Sequence, residues 1–196
     1  DSDDDGISDF REVSLFNTDP ADSDSDNEGL SDGVELGFTF GLPDPDAGGP
    51  LKGTAAGFVA DADAGATTTD PTDADTDGDG LCDGRPASAP AGCTGEEDSN
   101  NNGVYAAGTD YSDPQDLDTD DDALSDGEER AEGTNPEDAD SDNDGLDDGL
   151  EMGASAGIAD PDGSGPLKGT AGSPATDGDS GATTTDPMDP DSDDDG

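Results

Sequence analysis

Carboxylates at every second position, restarted five times behind a proline, constrain this chain more than any other feature. The strings follow Pro20, Pro71, Pro114, Pro136 and Pro187, with acids two, four, six and eight residues on, and four of the five have Gly nine residues on. Two carboxylates about 5 Å apart at an effective dielectric near 20 repel by roughly 3 kcal/mol, so four in a row do not stay compact unless something neutralises them. The chain holds 55 acidic against 5 basic residues over 196, for a net charge of -50. Only 26% of it is apolar, with no Trp and no His, which is too little to bury an ordinary core. Order is therefore expected to depend on cations.

The same charge sets aside nucleic acid, which needs a basic face, and direct binding to anionic membranes. No stretch approaches the roughly 20 apolar residues of a membrane span, and no basic-then-apolar signal opens the chain. Asp1 already lies inside a motif, so a mature segment or an excerpt of something longer is expected.

The strings sit inside a larger duplication. Residues 18–80 match 134–196 without a gap at an offset of 116, sharing Pro-Leu-Lys-Gly-Thr at 50–54 and 166–170 and Gly-Ala-Thr-Thr-Thr-Asp-Pro at 65–71 and 181–187. Asp191–Gly196 also repeats Asp1–Gly6 letter for letter, which suggests a tandem array with a 190-residue period. Four segments follow: 1–17, the end of a loop plus a linker; 18–80, the first copy; 81–133, an insert around two cysteines with further loops; and 134–196, the second copy. Phe10 to Thr18 and Glu128 to Asn135 can each form one or two helical turns before Asn/Thr-x-Pro stops them. The long Gly/Ala/Thr/Pro spacers 36–70 and 152–186 are mostly irregular, and apolar alternation over 36–42 suits a short strand. The second copy replaces most of those apolar residues by Ala, Gly and Ser, which argues against a large sheet.

Calcium takes six to eight oxygens, and a twelve-residue loop wraps it with ligands at positions 1, 3, 5, 9 and 12, a carbonyl at 7 and Gly at 6. Three series fill every position: Asp1, Asp3, Asp5, Gly6, Ile7, Asp9, Glu12; Asp24, Asp26, Glu28, Gly29, Leu30, Asp32, Glu35; and Asp140, Asp142, Asp144, Gly145, Leu146, Asp148, Glu151. Asp118, Asp120, Asp122, Leu124, Asp126 and Glu129 form a fourth, with Ala123 where Gly is expected and strain therefore predicted. Asp75, Asp77, Asp79, Leu81 and Asp83 form a fifth with Pro86 at position 12, so its last acid must come from elsewhere or be replaced by water. A degenerate loop starts at Asp98, with Asn100, Asn102, Gly103 and Val104, to be completed by Asp110 or Glu97. Asp191, Asp193 and Asp195 open one more. The leucines offer carbonyls while their side chains fill small cores between turns. Pro-x-Asp-x-Asp before each loop is hostile to an entering helix, so helix–loop–helix hands are not expected.

These residues resemble the calcium-binding thrombospondin type 3 repeat in its bacterial form, Asp-x-Asp-x-Asp-Gly-Leu-Ser-Asp-Gly-x-Glu followed by Gly-Thr-Asn/Asp-Pro, most closely over 118–140. The resemblance covers about half the chain and leaves the Pro-Leu-Lys-Gly-Thr spacers and the Cys82–Cys93 loop outside it. It implies a fold wound on calcium ions with little regular secondary structure, in a secreted or surface-displayed bacterial protein. Cys82 and Cys93 read as a local disulfide, in keeping with an oxidising, calcium-rich exterior; free thiols are the alternative, and zinc is disfavoured without His. Thr67, Thr68, Thr69, Thr183, Thr184 and Thr185 are candidates for O-linked sugar, with extended spacer as the equal alternative.

The expected fold is mostly irregular coil, a calcium-wound tandem-repeat solenoid or fibre with short helical turns and at most short strands. The expected function is that of an extracellular, calcium-stabilised filament or stalk whose partners are calcium, further copies of itself and O-linked glycans. A calcium-dependent adhesion module or spacer joined to another domain is the alternative. No nucleophile–base pair stands out, so catalysis is not expected.

Overall fold

The computed structural model describes every residue except 89, 164, 179, 180 and 193–196, so Asp193 and Asp195 lie outside the described residues. The chain divides into two compact units, residues 1–76 with 80–110 and residues 77–79 with 111–196. Both consist largely of turns. The described helices are short: α1 (Asp9–Arg11), continued by a π-helical turn over Glu12–Phe16, then α2 (Asp32–Glu35), α3 (Asp126–Glu132) and α4 (Asp148–Glu151).

Each helix starts at the ninth position of an acidic loop, behind an extended residue: Ser8, Ser31, Ser125 or Asp147. α3 is the longest and has a full capping box, in which Ser125 accepts from the Glu128 N–H and the Glu128 carboxylate accepts from the Ser125 N–H. It stops at Gly133, φ 94°, whose N–H reaches back four residues to the Glu129 carbonyl at 2.7 Å. The first linker has one residue more between its glutamate and the following Thr, Glu12 to Thr18 against Glu129 to Thr134. The π turn absorbs it: Asn17, φ 63°, reaches back five residues to the Glu12 carbonyl, also at 2.7 Å.

The prolines open a turn that recurs five times. The N–H of Asp22, Asp73, Asp116, Asp138 and Asp189 donates to the carbonyl three residues back, at Asp19, Asp70, Asp113, Asn135 and Asp186. The N–H of that same Asp or Asn donates to a hydroxyl at the second loop position: Ser25, Thr76, Thr119, Ser141 and Ser192, at 2.8 to 3.1 Å.

The spacers are built by carboxylates rather than by apolar packing. In the first copy Thr69 Oγ1 donates to Glu35, the Thr54 N–H donates to the Leu42 carbonyl, and Asp46 accepts from the Gly49 and Leu51 N–H groups. In the second copy Thr185 donates to Glu151, and Asp162 accepts from Gly165 and Leu167. In both, the Pro-Leu-Lys-Gly-Thr threonine donates to the first aspartate of a loop, Thr54 to Asp1 and Thr170 to Asp118. The second copy keeps these bonds although Ala154, Ala156 and Pro174 stand where the first has Phe38, Phe40 and Phe58. The alternation over 36–42 forms no strand, and the bridge described outside strands is the parallel contact Asp116–Lys168.

Apolar cores are small. In the first unit Ile7, Leu30, Val34 and Leu81 are buried, and Ala74 packs on Cys82 and Cys93, which form a disulfide. Arg11 lies over the rings of Phe16 and Phe38 at 5.5 and 5.2 Å. In the second unit Ala123 and Leu124 are buried and Arg130 covers Tyr111 at 4.8 Å. Leu146 departs from the expected small core: it is 40% exposed.

Candidate metal centres

Within each loop the backbone turns around its first carboxylate. Asp24 accepts from the N–H groups of Glu28 and Gly29, Asp118 from Asp122 and Ala123, Asp140 from Asp144 and Gly145, and Asp1 from Asp4, all at 2.9 to 3.1 Å. The fifth carboxylate then takes the N–H of residue 7: Asp5 from Ile7, Glu28 from Leu30, Asp122 from Leu124 and Asp144 from Leu146. Among the described residues the sixth position is left-handed, at φ 94° in Gly6, 113° in Gly29, 96° in Gly80, 99° in Gly145 and 82° in Ala123. The strain expected at Ala123 is therefore present.

The ninth carboxylate, expected as an own-loop ligand, also accepts hydrogen bonds within its loop. It is bound to the second residue of its loop: Asp32 takes both the N–H and the hydroxyl of Ser25, Asp83 those of Thr76, and Asp126 those of Thr119. Asp148 takes the Ser141 N–H, and the exposed Asp9 takes the Ser2 hydroxyl and the terminal amine. The serine or threonine at position 2 thus relays between the Asx-Pro turn and the ninth acid. Nothing in the metal-loop spacing points to it, although every string carries a hydroxyl there.

What remains is a set of buried oxygens that accept no hydrogen bond, recurring at positions 3 and 12 in four loops and at position 5 in two of them. Among them are both oxygens of Asp3 and Glu12 and one each of Asp5, Asp26, Glu28, Glu35, Asp120, Glu129, Asp142 and Glu151. Glu12, Glu28 and Glu129 are fully buried. A buried carboxylate without a donor or counter-charge is costly, and clusters of such oxygens could hold a hard cation. Oxygens of Asp1, Asp3 and Asp5 lie within 4.8 Å of one another, as do those of Asp24, Asp26 and Glu28, and those of Asp5, Glu12 and Asp32. The protein alone holds these acids far from their ordinary range. Burial first, then Asp3 and Asp5, pushes Glu12 up to about 7; burial and the Asp120 and Asp122 charges push Glu129 up to about 10.

The loop at Asp75 keeps the same turn, with Gly80 N–H donating to Asp75 and Asp79 N–H to Asp77. Beyond the disulfide the chain returns alongside it: Thr94, Glu97 and Asp98 donate to the carbonyls of Gly80, Cys82 and Asp83. The fully buried Glu97 is thereby laid beside Cys82. The degenerate loop folds like the others, Asp98 accepting from Asn102 and Gly103, and Asn102 from Val104. Asp110 stands in as its clamp, taking the Ser99 N–H and the Asn100 side-chain amide.

Of the spacer threonines, Thr69 is buried and Thr67 donates its hydroxyl to Asp63, while Thr183, Thr184 and Thr185 are exposed. Lys168 pairs with Asp113 at 2.7 Å and Asp116 at 3.4 Å. No described helix is long and apolar enough to cross a membrane. Comparison with protein-family models, curated proteins and solved structures finds no match to this chain.

Proposed function

We propose that this chain is an extracellular structural repeat wound on calcium ions, a segment of a filament or stalk, as its resemblance to thrombospondin type 3 repeats implies. One observation carries the reading: buried carboxylate oxygens that accept no hydrogen bond recur at positions 3 and 12 in four loops, and at position 5 in two of them. Calcium fits that set because it accepts several carboxylates together with a carbonyl at about 2.4 Å and tolerates irregular geometry. Extracellular modules bind it at millimolar affinity, about 4 kcal/mol per ion at the standard state, so order is a sum over many sites. The Cys82–Cys93 disulfide agrees with an oxidising setting. Copies stacked end to end would make contacts mainly with their neighbours, as in other quasi-one-dimensional repeat proteins.

Electron microscopy of the protein in calcium and after exhaustive chelation tests this. Regular filaments that lose order on chelation are expected. Isolated chains in calcium would leave a spacer or adhesion module, and fibres indifferent to chelation would assign their cohesion to something other than the ions.

A further inference from the structure

We propose that the cation of a loop is shared with the loop that follows, which supplies its ninth carboxylate as a ligand in trans. The inference rests on the calcium reading above and adds that each site is complete only when its successor is folded against it.

Oxygens of Asp5, Glu12 and Asp32 lie within 4.8 Å of one another, yet Asp32 belongs to the next loop. All three residues are buried, at 2%, 0% and 0% exposed, and neither Glu12 oxygen accepts a hydrogen bond. Glu12 is therefore a fully buried carboxylate aimed into this cluster with no partner of its own. Asp32 is held there by the Ser25 N–H at 2.8 Å and the Ser25 hydroxyl at 2.8 Å, which leave a second lone pair on each oxygen for a metal.

The approach of the two loops is set by the residue after Asp32. Gly33 sits in α2 with ordinary helical geometry, so it is not needed for backbone freedom; a Cβ there would run into the Asp5 carbonyl oxygen. The arrangement recurs in the second unit. A Cβ on Gly149, after Asp148, would run into the Asp122 carbonyl, and the Gly149 N–H donates to Asp122 Oδ2 at 2.7 Å. Asp148 is fully buried, and its Oδ2 accepts nothing. The Asp-Gly pair at positions 9 and 10 thus serves the preceding loop as well as its own: glycine lets that loop approach, and aspartate reaches its ion.

Hydrogen exchange of the full chain, followed by mass spectrometry along a calcium titration, separates the sites. Asp32→Asn is expected to move the calcium midpoint for protection of residues 1–12 upward by about tenfold or more, while peptides from 111–196 keep theirs. Asp32→Asn also weakens its own loop, so Ser25→Ala is the control: it removes the hydroxyl half of the clamp, keeps the carboxylate and the backbone N–H that holds it in place, and is expected to disturb 24–35 alone. An unchanged midpoint over 1–12 in Asp32→Asn, or an equal shift there in both variants, overturns the shared ligand while leaving calcium binding intact. Wild-type protection indifferent to calcium everywhere would overturn the calcium reading and this inference together.

Discussion

The sixth position of each loop shows how much a single residue decides. Its N–H must point back at the first carboxylate, which forces the left-handed backbone seen at Gly29, Gly80 and Gly145. Ala123 adopts the same conformation at φ 82° and makes the same bond to Asp118, so its Cβ is carried at a cost of about 1 kcal/mol. Ala123→Gly is expected to raise stability in calcium by up to about 1 kcal/mol, less whatever the added freedom of the unfolded chain removes. Thermal unfolding at fixed calcium reads this directly. Gly145→Ala, introducing the same Cβ at φ 99°, should act in the opposite direction.

At the scale of the element, the unit is the Asx-Pro turn joined to its loop by one hydroxyl. Thr119 Oγ1 accepts from the Asp113 N–H and donates to Asp126 at 2.7 Å, while its own N–H holds the other oxygen of Asp126. Thr119→Val keeps the shape and leaves both a backbone N–H and a buried carboxylate oxygen unpaired. A loss of about 1–3 kcal/mol is expected. It should appear as faster hydrogen exchange over 113–129; unchanged protection there would show that the relay does not hold the loop.

The loops themselves were legible because metal ligation imposes fixed offsets on residue type, and the left-handed Ala123 followed from the same template. The relay was not, because a serine among aspartates looks like filler until the fold brings position 2 against position 9. The spacers depart from their sequence pattern in one respect. Leu36, Phe38, Phe40 and Leu42 alternate as a strand would, but the Leu42 N–H goes to the Thr54 hydroxyl and the Phe38 carbonyl takes the Asp61 N–H. Bonds to distant partners such as these, one to a side chain and one within the backbone, leave no local pattern to detect. The same holds for Gly33 and Gly149, whose need for space comes from another loop and has no local signature.

At the scale of the whole molecule, 55 acids against 5 bases make protons and calcium competitors for the same oxygens. Burial, reinforced by neighbouring carboxylates, pushes Glu12, Asp26 and Asp120 up to about 7, Asp126 to about 8 and Glu28 to about 9. The unfolded chain releases those protons near 4. Between the two values the folded, calcium-free chain binds more protons than the unfolded one, so its stability falls as pH rises through this window. Calcium reverses the sign by binding only the ionised form, and it releases protons as it binds. The calcium-stripped protein is therefore expected to be compact near pH 4 and expanded at pH 7.5, where adding calcium restores compactness. The calcium midpoint should move to higher concentration as pH drops from 7.5 to 5. Small-angle scattering with far-ultraviolet circular dichroism, on resin-stripped protein between pH 3.5 and 8, follows both trends. Equal compactness at pH 4 and 7.5 without calcium would mean that the buried carboxylates are reconciled with their surroundings by the protein alone, and the ions would lose their structural role.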